Sequence, residues 1–472
     1  MHPHWTIVLD ATVQELRIID KVTSYRPKGA WFSPAVQKGY SDGITHLMVK
    51  QGKKSKYDRF PTGLFKRVHD ELFNKGIPVE VDELSQASTF PAAHTLTTKL
   101  KGVELRDYQL DAMIACLANG RGVVGLPTGS GKTEVEIALA KALDVPTLYV
   151  VHRKELVNQT KERFKLRWPK MKVGVIGDGW WHDECQVTIG MIQSLTSKSR
   201  AERCTEFMER VQCIIVDEVH HAPAPTYYRL LMTSVAPFRF GFSATPKGNS
   251  GDELMMEGAI GPIIYSLAAS PLVERGLLAR PIVEFFEAPS PDIDYMSGWE
   301  WGNEDGIYMT GIVKNDARNR LIVKKVEEHV GEGRNVLVLV TRIEHGRVLA
   351  DASGYEFVFG DTDFKDRLSA LQRLGRKDGG RGTALIASTI LDEGVDITGI
   401  DVVVNGAGGE SCVRVAQALG RAIRPKVQDG NDSGGSCYFV DFRDSGHRIL
   451  REHSRKRLRQ LAAESSYEIR RG

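Results

Sequence analysis

Three short stretches hold side chains suited to chemistry on a phosphate. The first, GLPTGSGKT at 125–133, runs through Pro127, Thr128, Gly129, Ser130 and Gly131 to Lys132 and Thr133. So many glycines at the start of a helix turn backbone N–H groups toward an anion. Lys132 then reaches the outer phosphates of a nucleotide, and the Thr133 hydroxyl suits magnesium. The second, CIIVDEVHH at 213–221, closes four apolar residues with Asp217 and Glu218. Carboxylates at the carboxyl end of a buried strand stand where doubly wound sheets keep their ligands. Asp217 suits magnesium, and Glu218 suits the orientation and deprotonation of a water molecule. An acidic pair alone is more often a solvated turn; about 85 residues after a phosphate loop it reads as the other half of a hydrolytic site.

The third stretch is QALGRAIRP, where Gln417, Arg421 and Arg424 fall at i, i+4 and i+7 and so share a helix face. Two arginines aimed at a γ-phosphate neutralise charge that develops in the transition state, which would tie hydrolysis to the closure of two domains. A surface helix with solvated arginines is the alternative.

These residues need rigid elements behind them. From 105 to about 268, the runs GVVGLP, TLYVVH, VTIG, CIIVDE and FGFSAT alternate with helical patterns, as buried parallel strands with crossover helices do. A second series follows in PIVEFFEA, NVLVLVT, GTALIAST, DVVVNGA and SCYFVDF, so two successive α/β layers are expected. Before them, HWTIVLD, ELRIID, THLMVK and IPVEVDE read as short strands, and PTGLFKRVHDELFNKG as a helix with Leu64, Phe65, Val68 and Leu72 on one face. LSQASTFPAAHTLTT reads as a linker, PSPDIDYMSGWEWGNEDGIYM as an irregular insertion and KVQDGNDSGGS as a flexible loop. The expected boundaries are 1–92 for a small α+β domain, 93–270 and 271–448 for the two layers, and 449–472 for a basic tail, a helix candidate bearing Arg451, Arg455, Lys456, Arg457 and Arg459.

Composition narrows the class. Of 472 residues, 26% are charged and 42% hydrophobic, the balance of a globular chain rather than a disordered or membrane one. No apolar run approaches the roughly 18 residues of a spanning helix, and the start MHPHWTIVLD lacks the pattern of a secretion signal, so a cytoplasmic protein is expected. Six scattered cysteines, none in a C-x-x-C pair, argue against zinc or a disulfide framework. A net charge of +3 says little about polyanions, which would need local basic patches.

LRDYQ at 105, GLPTGSGKT at 125, VDEVHH at 216, FSATP at 242, ASTILDEGVDI at 387 and QALGRAIRP at 417 together resemble the ordered motifs of superfamily 2 helicases, over about 105–445. The DEVH form and the closing GRxxRP are similar to the XPB-type repair helicases and the UvsW-like phage helicases. The resemblance implies two tandem RecA-like parallel-sheet motor domains preceded by a small α+β domain, with ATP and magnesium as ligands. It implies an adenine-reading role for Arg106 and Gln109, coupling of hydrolysis to domain motion for Ser243, Ala244 and Thr245, and a nucleotide-side role for Gly394 and Asp396. His220 would bridge the domains or be a plain structural histidine.

The resemblance also implies contacts to a nucleic-acid strand from Arg153, Lys154 and Gln159, from Thr188, Gln193 and Ser194, and from Thr341, Arg342 and Thr389. Short polar groups at loop ends suit phosphates, which position a strand without reading its sequence. In KQGKKSKYDRF, Lys50, Lys53, Lys54, Lys56 and Arg59 interleave with Tyr57 and Phe60, either to track a backbone and stack on bases or as a charged sheet edge. Trp180 and Trp181 either pack or wedge at a junction. The expected protein is a monomeric, ATP-dependent DNA helicase or translocase acting on single-stranded and branched duplex DNA in recombination, repair or replication. An RNA helicase, the motor of a restriction system, and an annealing protein with a vestigial ATP site are the alternatives; the last would have lost one of Lys132, Asp217, Glu218, Gln417, Arg421 or Arg424, and all are present.

Overall fold

Residues 4–27, 29–52, 55–82, 99–219, 224–244, 246, 253–291, 303–375, 382–388, 399–409, 426–428, 431–433, 436–462 and 467–472 are described by a computed structural model. The chain forms two compact units, one reaching to Leu267 apart from the loop tip Thr128–Ser130, the other from Ala268 to Gly472.

The first unit is built on an eight-stranded sheet in the order Ile263–Ser266, Arg121–Gly125, Phe238–Ser243, Cys213–Val216, Thr147–Val151, Val187–Met191, Val173–Gly177, Trp180–His182. All neighbours are parallel except the last pair. Cys213–Val216 is wholly apolar because helices cover both faces of the sheet; Ile214, Ile215 and Val216 are fully buried. Burying each such side chain contributes about 1.5–3 kcal/mol. In register, Ile215 stands between Tyr149 and Phe240. This central position delivers the next two residues, Asp217 and Glu218, to the carboxyl edge beside the loop that follows Gly125.

The amino-terminal module belongs to the same unit. Leu64, Val68 and Leu72 close over Ile19, Leu47, Met48 and Phe60, and the same cluster takes in Met255 and the partly buried Tyr228 and Leu254 of the sheet-bearing region. Arg67 pairs with Glu257 at 2.7 Å, and Gly63 lies so close to this neighbour that an added Cβ would stand 2.0 Å from the Glu257 carbonyl oxygen.

Several local readings of this module change. ELRIID is part of the helix Val13–Val22 and not a strand: Glu15 N–H donates to Thr12 Oγ1 (3.3 Å) and Thr12 N–H to Glu15 Oε2 (2.7 Å), a reciprocal start that outweighs the short alternation. THLMVK pairs only at Thr45–His46 and at Val49. Of IPVEVDE, the described residues 77–82 form no strand, and Ile77 and Val79 pack against the cluster. The linker lies outside the described residues apart from its flanks.

The second unit holds a seven-stranded, all-parallel sheet in the order Glu356–Val358, Ala384–Ser388, Val336–Val340, Val402–Asn405, Ser436–Asp444, Arg280–Ala288, Glu468–Arg471. Every β-branched run of the second series is a strand. KVQDGNDSGGS, expected as a loop, carries an antiparallel hairpin, Lys426–Gln428 with Asn431–Ser433. The insertion contains a short helix, Glu304–Tyr308, where Asn303 Oδ1 accepts the Gly306 N–H at 2.6 Å. The basic carboxyl-terminal segment forms the helix Arg448–Ala462, and the last residues add the edge strand Glu468–Arg471.

Two buried arginines of this unit are paired with acids. Arg318 meets Asp444 at 2.7 Å and the Gly406 carbonyl at 2.9 Å, and Arg457 meets Asp441 at 2.8 Å. Such pairs replace the water each ion has lost, so removing one partner costs far more than the pair contributes.

Candidate functional site

The strand Arg121–Gly125 leads through the glycine loop into the helix Lys132–Leu143. Gly129 and Gly131 both have φ of +82°, a left-handed backbone that favours glycine. An added Cβ at Gly131 would stand 2.5 Å from Gln109 Nε2, so the Gln109 amide is packed on the phosphate loop itself. Gln109 is buried, and its Oε1 accepts the Arg106 N–H at 2.9 Å. The helix is held from behind by Glu134, buried between Arg167 at 2.9 Å and Arg163 at 3.1 Å.

Lys132 is also buried, its Nζ 3.5 Å from Glu218 Oε1 and 3.5 Å from the Leu126 carbonyl. Glu218 N–H donates to Asp217 Oδ1 at 2.8 Å, and Glu218 itself has φ of +47°. That conformation is uncommon for a side chain longer than Asn or Asp and is of the kind found at functional sites. Ser243 ends the neighbouring strand opposite Gly125, and its carbonyl accepts the Leu126 N–H at 3.0 Å. Lys132, Asp217, Glu218, Ser243 and Gln109 thus converge on one edge of the first sheet, with Pro127, Thr128, Gly129 and Thr133 half-buried around them, Ser130 buried and Ala244 following Ser243.

Sequence reasoning missed two members of this cluster. Glu136, one turn after Lys132, is fully buried, and the Tyr149 hydroxyl donates to it at 2.5 Å. Burial, and then the nearby Asp217 and Glu136, push the Tyr149 hydroxyl well above its usual range. Burial, and then the neighbouring Asp217, push the Glu136 carboxyl well above its usual range. Burial and the adjacent Glu218 raise Asp217 to about 6 against the pull of Lys132. The signal for Glu136 was an acid at a helix position that the sheet must cover.

Three carboxyl groups around one ammonium make a site short of positive charge. Among the described residues no cluster of three or more His, Cys, Asp or Glu side chains could hold a metal by itself. The hard oxygens of Thr133 and Asp217 fit magnesium in its usual manner, bound by one or two protein groups together with substrate phosphates.

The residues expected to touch a nucleic-acid strand fare unequally. Arg153 precedes the helix Lys154–Arg167; Lys154 pairs with Asp178 at 2.7 Å and Gln159 is exposed. Gln193 Nε2 donates to the His152 carbonyl at 2.9 Å, which brings Gln193 and Ser194 beside Arg153 at the carboxyl ends of adjacent strands. Thr188 is the exception. It is the second residue of Val187–Met191, buried, with Oγ1 3.1 Å from where a Gly174 Cβ would be, so it faces the sheet's interior and not a polymer.

In the second unit Thr341 and Arg342 are exposed. The Tyr308 hydroxyl donates to Thr341 Oγ1 at 3.3 Å, and Arg342 pairs with Asp305. Tyr308 was hidden in the insertion. His220, Thr245, Thr389, Gly394, Asp396, Gln417, Arg421 and Arg424 lie outside the described residues.

Of the amino-terminal basic stretch, Lys53 and Lys54 lie outside the described residues, while Lys56 and Tyr57 are exposed. Phe60 is core, 2% exposed, and Arg59 stacks over Trp5 at 4.5 Å, so neither is offered to a base. A better candidate was overlooked at 25–40, YRPKGAWFSPAVQKGY, which has three cations and no acid. Trp31, Phe32 and Tyr40 are 65%, 81% and 84% exposed, with the Arg26 guanidinium 4.1 Å over the Trp31 ring. The loop is folded on itself: the Tyr40 N–H donates to the Ala35 carbonyl at 2.8 Å, and Gly43 sits against Ala30 and Val36. Trp181 packs against the first core under Arg203, at 5.0 Å, whereas Trp180 is 58% exposed.

The family model for "Type III restriction enzyme, res subunit" matches residues 102–248, and that for "Helicase conserved C-terminal domain" matches 317–426. The DNA 3′-5′ translocase XPB2 of Sulfurisphaera tokodaii is 27% identical over 363 residues, 69% of this chain and 80% of that protein. The ATP-dependent DNA helicase uvsW of Enterobacteria phage T4 is 23% identical over 445 residues, 88% of this chain and 84% of that one. Three further curated relatives are covered over 55% to 63% of their length. Among solved structures, S. cerevisiae Dbp5 bound to RNA and ADP BeF3 matches with a TM-score of 0.54 at 14% identity, over 78% of this chain and 90% of that one, which shows a shared fold of two RecA-like domains.

Proposed function

We propose a DNA substrate for this chain, which belongs to the superfamily 2 helicases of the XPB- and UvsW-like kind and is an ATP-dependent helicase. The finer reading is a motor that moves on DNA and remodels branched recombination, repair or replication intermediates. The observation that carries the ATP-hydrolysing part of this reading is the meeting of Lys132 with Glu218 at 3.5 Å, beside Asp217, at the carboxyl edge of the first sheet; the DNA part rests on the likeness to the DNA translocase XPB2 and the DNA helicase uvsW.

In this reading Gln109 and Arg106 hold the base of ATP, the loop amides and Lys132 hold its phosphates, and Glu218 takes the proton of the attacking water. Thr133 and Asp217 would hold magnesium, which when bound neutralises phosphate charge. Arg421 and Arg424 are assigned the charge that develops on the γ-phosphate, and Gln417 the orientation of the same group. Arg153, Lys154, Gln193 and Ser194 grip strand phosphates, contacts that carry no sequence information. Selection of a branch then falls to the amino-terminal module, whose Trp31, Phe32 and Tyr40 suit stacking on unpaired bases. Removing residues 1–90 would uncover Met255, Leu254 and Tyr228, so point substitution is the sharper probe.

The test is steady-state ATP hydrolysis without polymer and with single-stranded DNA, duplex DNA, a four-way junction and single-stranded RNA at matched salt. Greatest stimulation by the junction, reduced toward the duplex rate in Trp31→Ala/Phe32→Ala, supports the reading. Stimulation by RNA alone overturns the DNA assignment, and equal stimulation by every DNA overturns the branch preference.

A further inference from the structure

We infer that the carboxyl-terminal helix Arg448–Ala462 is a second, duplex-directed DNA surface, carried on the second unit and separate from the strand-gripping loops. The inference rests on the DNA-motor reading above. Arg448, Arg451, Arg455 and Arg459 fall at i, i+3, i+7 and i+11, one exposed stripe along three turns, with Lys456 beside it and Glu452 as its single acid. These six side chains line one shallow depression of about 310 Å³. At 1.5 Å per residue the arginines span about 16 Å, a length over which duplex DNA presents about ten phosphates.

The opposite face fixes the stripe in place. Leu450, Ser454, Arg457 and Leu461 are buried. Arg457 donates to Asp441 at 2.8 Å and to the Phe442 carbonyl at 2.9 Å, and the Asp444 N–H donates to Ser454 Oγ at 3.0 Å. The helix is therefore clamped along the strand Ser436–Asp444. With the helix already clamped, no backbone has to be ordered when the arginine row meets a polyanion, and the ordering cost is confined to the side chains. A row whose only task was solubility would mix both signs of charge, since interspersed charges solvate a surface without building a one-sign field. Phosphate contacts from this helix would add affinity without sequence preference and make it steeply salt-dependent.

Fluorescence anisotropy of a labelled duplex with the full chain, titrated from 50 to 200 mM salt, tests this. For Arg451→Ala/Arg455→Ala/Arg459→Ala the slope of log K against log salt should shrink by about 0.9 per lost contact, about 2.7 in all. The matching triple lysine variant should keep the wild-type slope, and both should melt as wild type does because all three positions are exposed. A wild type that binds duplex while the alanine variant keeps the same slope overturns this inference alone. If the alanine variant also loses binding to poly-glutamate with its DNA slope unmoved, the stripe belongs to an acidic protein partner. A wild type that binds single-stranded DNA but no duplex overturns this inference alone, and one that binds neither overturns the DNA-motor reading as well.

Discussion

The two sheets keep buried charge in opposite ways. At the carboxyl edge of the first, Glu136, Asp217 and Glu218 crowd around the single ammonium of Lys132, and burial holds Glu136 and Asp217 above their ordinary range. In the second, Asp441 and Asp444 face Arg318 and Arg457, two acids to two guanidiniums, at 2.7 and 2.8 Å. A balanced set stabilises one conformation; an unbalanced one, short of positive charge, is a standing cost that a cationic ligand can relieve. The strained backbone of Glu218 falls on the unbalanced side.

The largest way to break this comparison is to remove its one cation. Lys132→Ala should lower DNA-stimulated ATP turnover on the order of 10³-fold, about 4 kcal/mol of transition-state stabilisation, in a steady-state assay. On the balanced side, Asp441→Ala leaves Arg457 with Asp444 at 3.7 Å as its remaining acid and should cost about 3 kcal/mol of stability, read from denaturant unfolding.

A smaller effect has the opposite sign. Asp217 titrates at about 6 folded and near 3.8 unfolded. Between those values the folded chain holds a proton that the unfolded chain has released, so stability falls as pH rises through that window and the penalty is complete above it. Asp217→Asn should therefore melt higher than wild type at pH 7, with less advantage at pH 4, while losing hydrolysis; a lower melting temperature at pH 7 would remove the idea of a standing cost.

The smallest concerns His345, buried and hydrogen-bonded to Asn319 at 2.9 Å. Burial, with Arg318 nearby, depresses it to about 3 from 6.5. Its contribution is whole above pH 6.5 and declines as pH falls toward 3, because the unfolded chain binds the proton first. A flatter melting profile for His345→Gln between pH 4 and 7 is expected.

The main strands were legible because their β-branched runs are longer than chance and both faces are covered; CIIV and VLVLV admit little else. Lys132 and Glu218 were legible because a phosphate loop and a strand-end acid need fixed residue types. Short elements were not. ELRIID alternates like a strand, yet the Thr12–Glu15 capping pair decides for helix, and the edge strand Glu468–Arg471 is visible only through its neighbour Arg280–Ala288. Thr188 misled because sequence marks a residue's polarity and not which end of a strand it occupies. Glu136 and Tyr149 were silent because their meaning is a contact 13 residues apart in sequence.

The most direct test of the central claim is Glu218→Gln, assayed for ATP turnover with saturating DNA and for equilibrium binding of a fluorescent ATP analogue. The substitution keeps the shape and removes the base. Turnover should fall about 10²-fold or more while analogue affinity stays within a few-fold of wild type; unchanged turnover would contradict the assignment of this edge as the hydrolytic site.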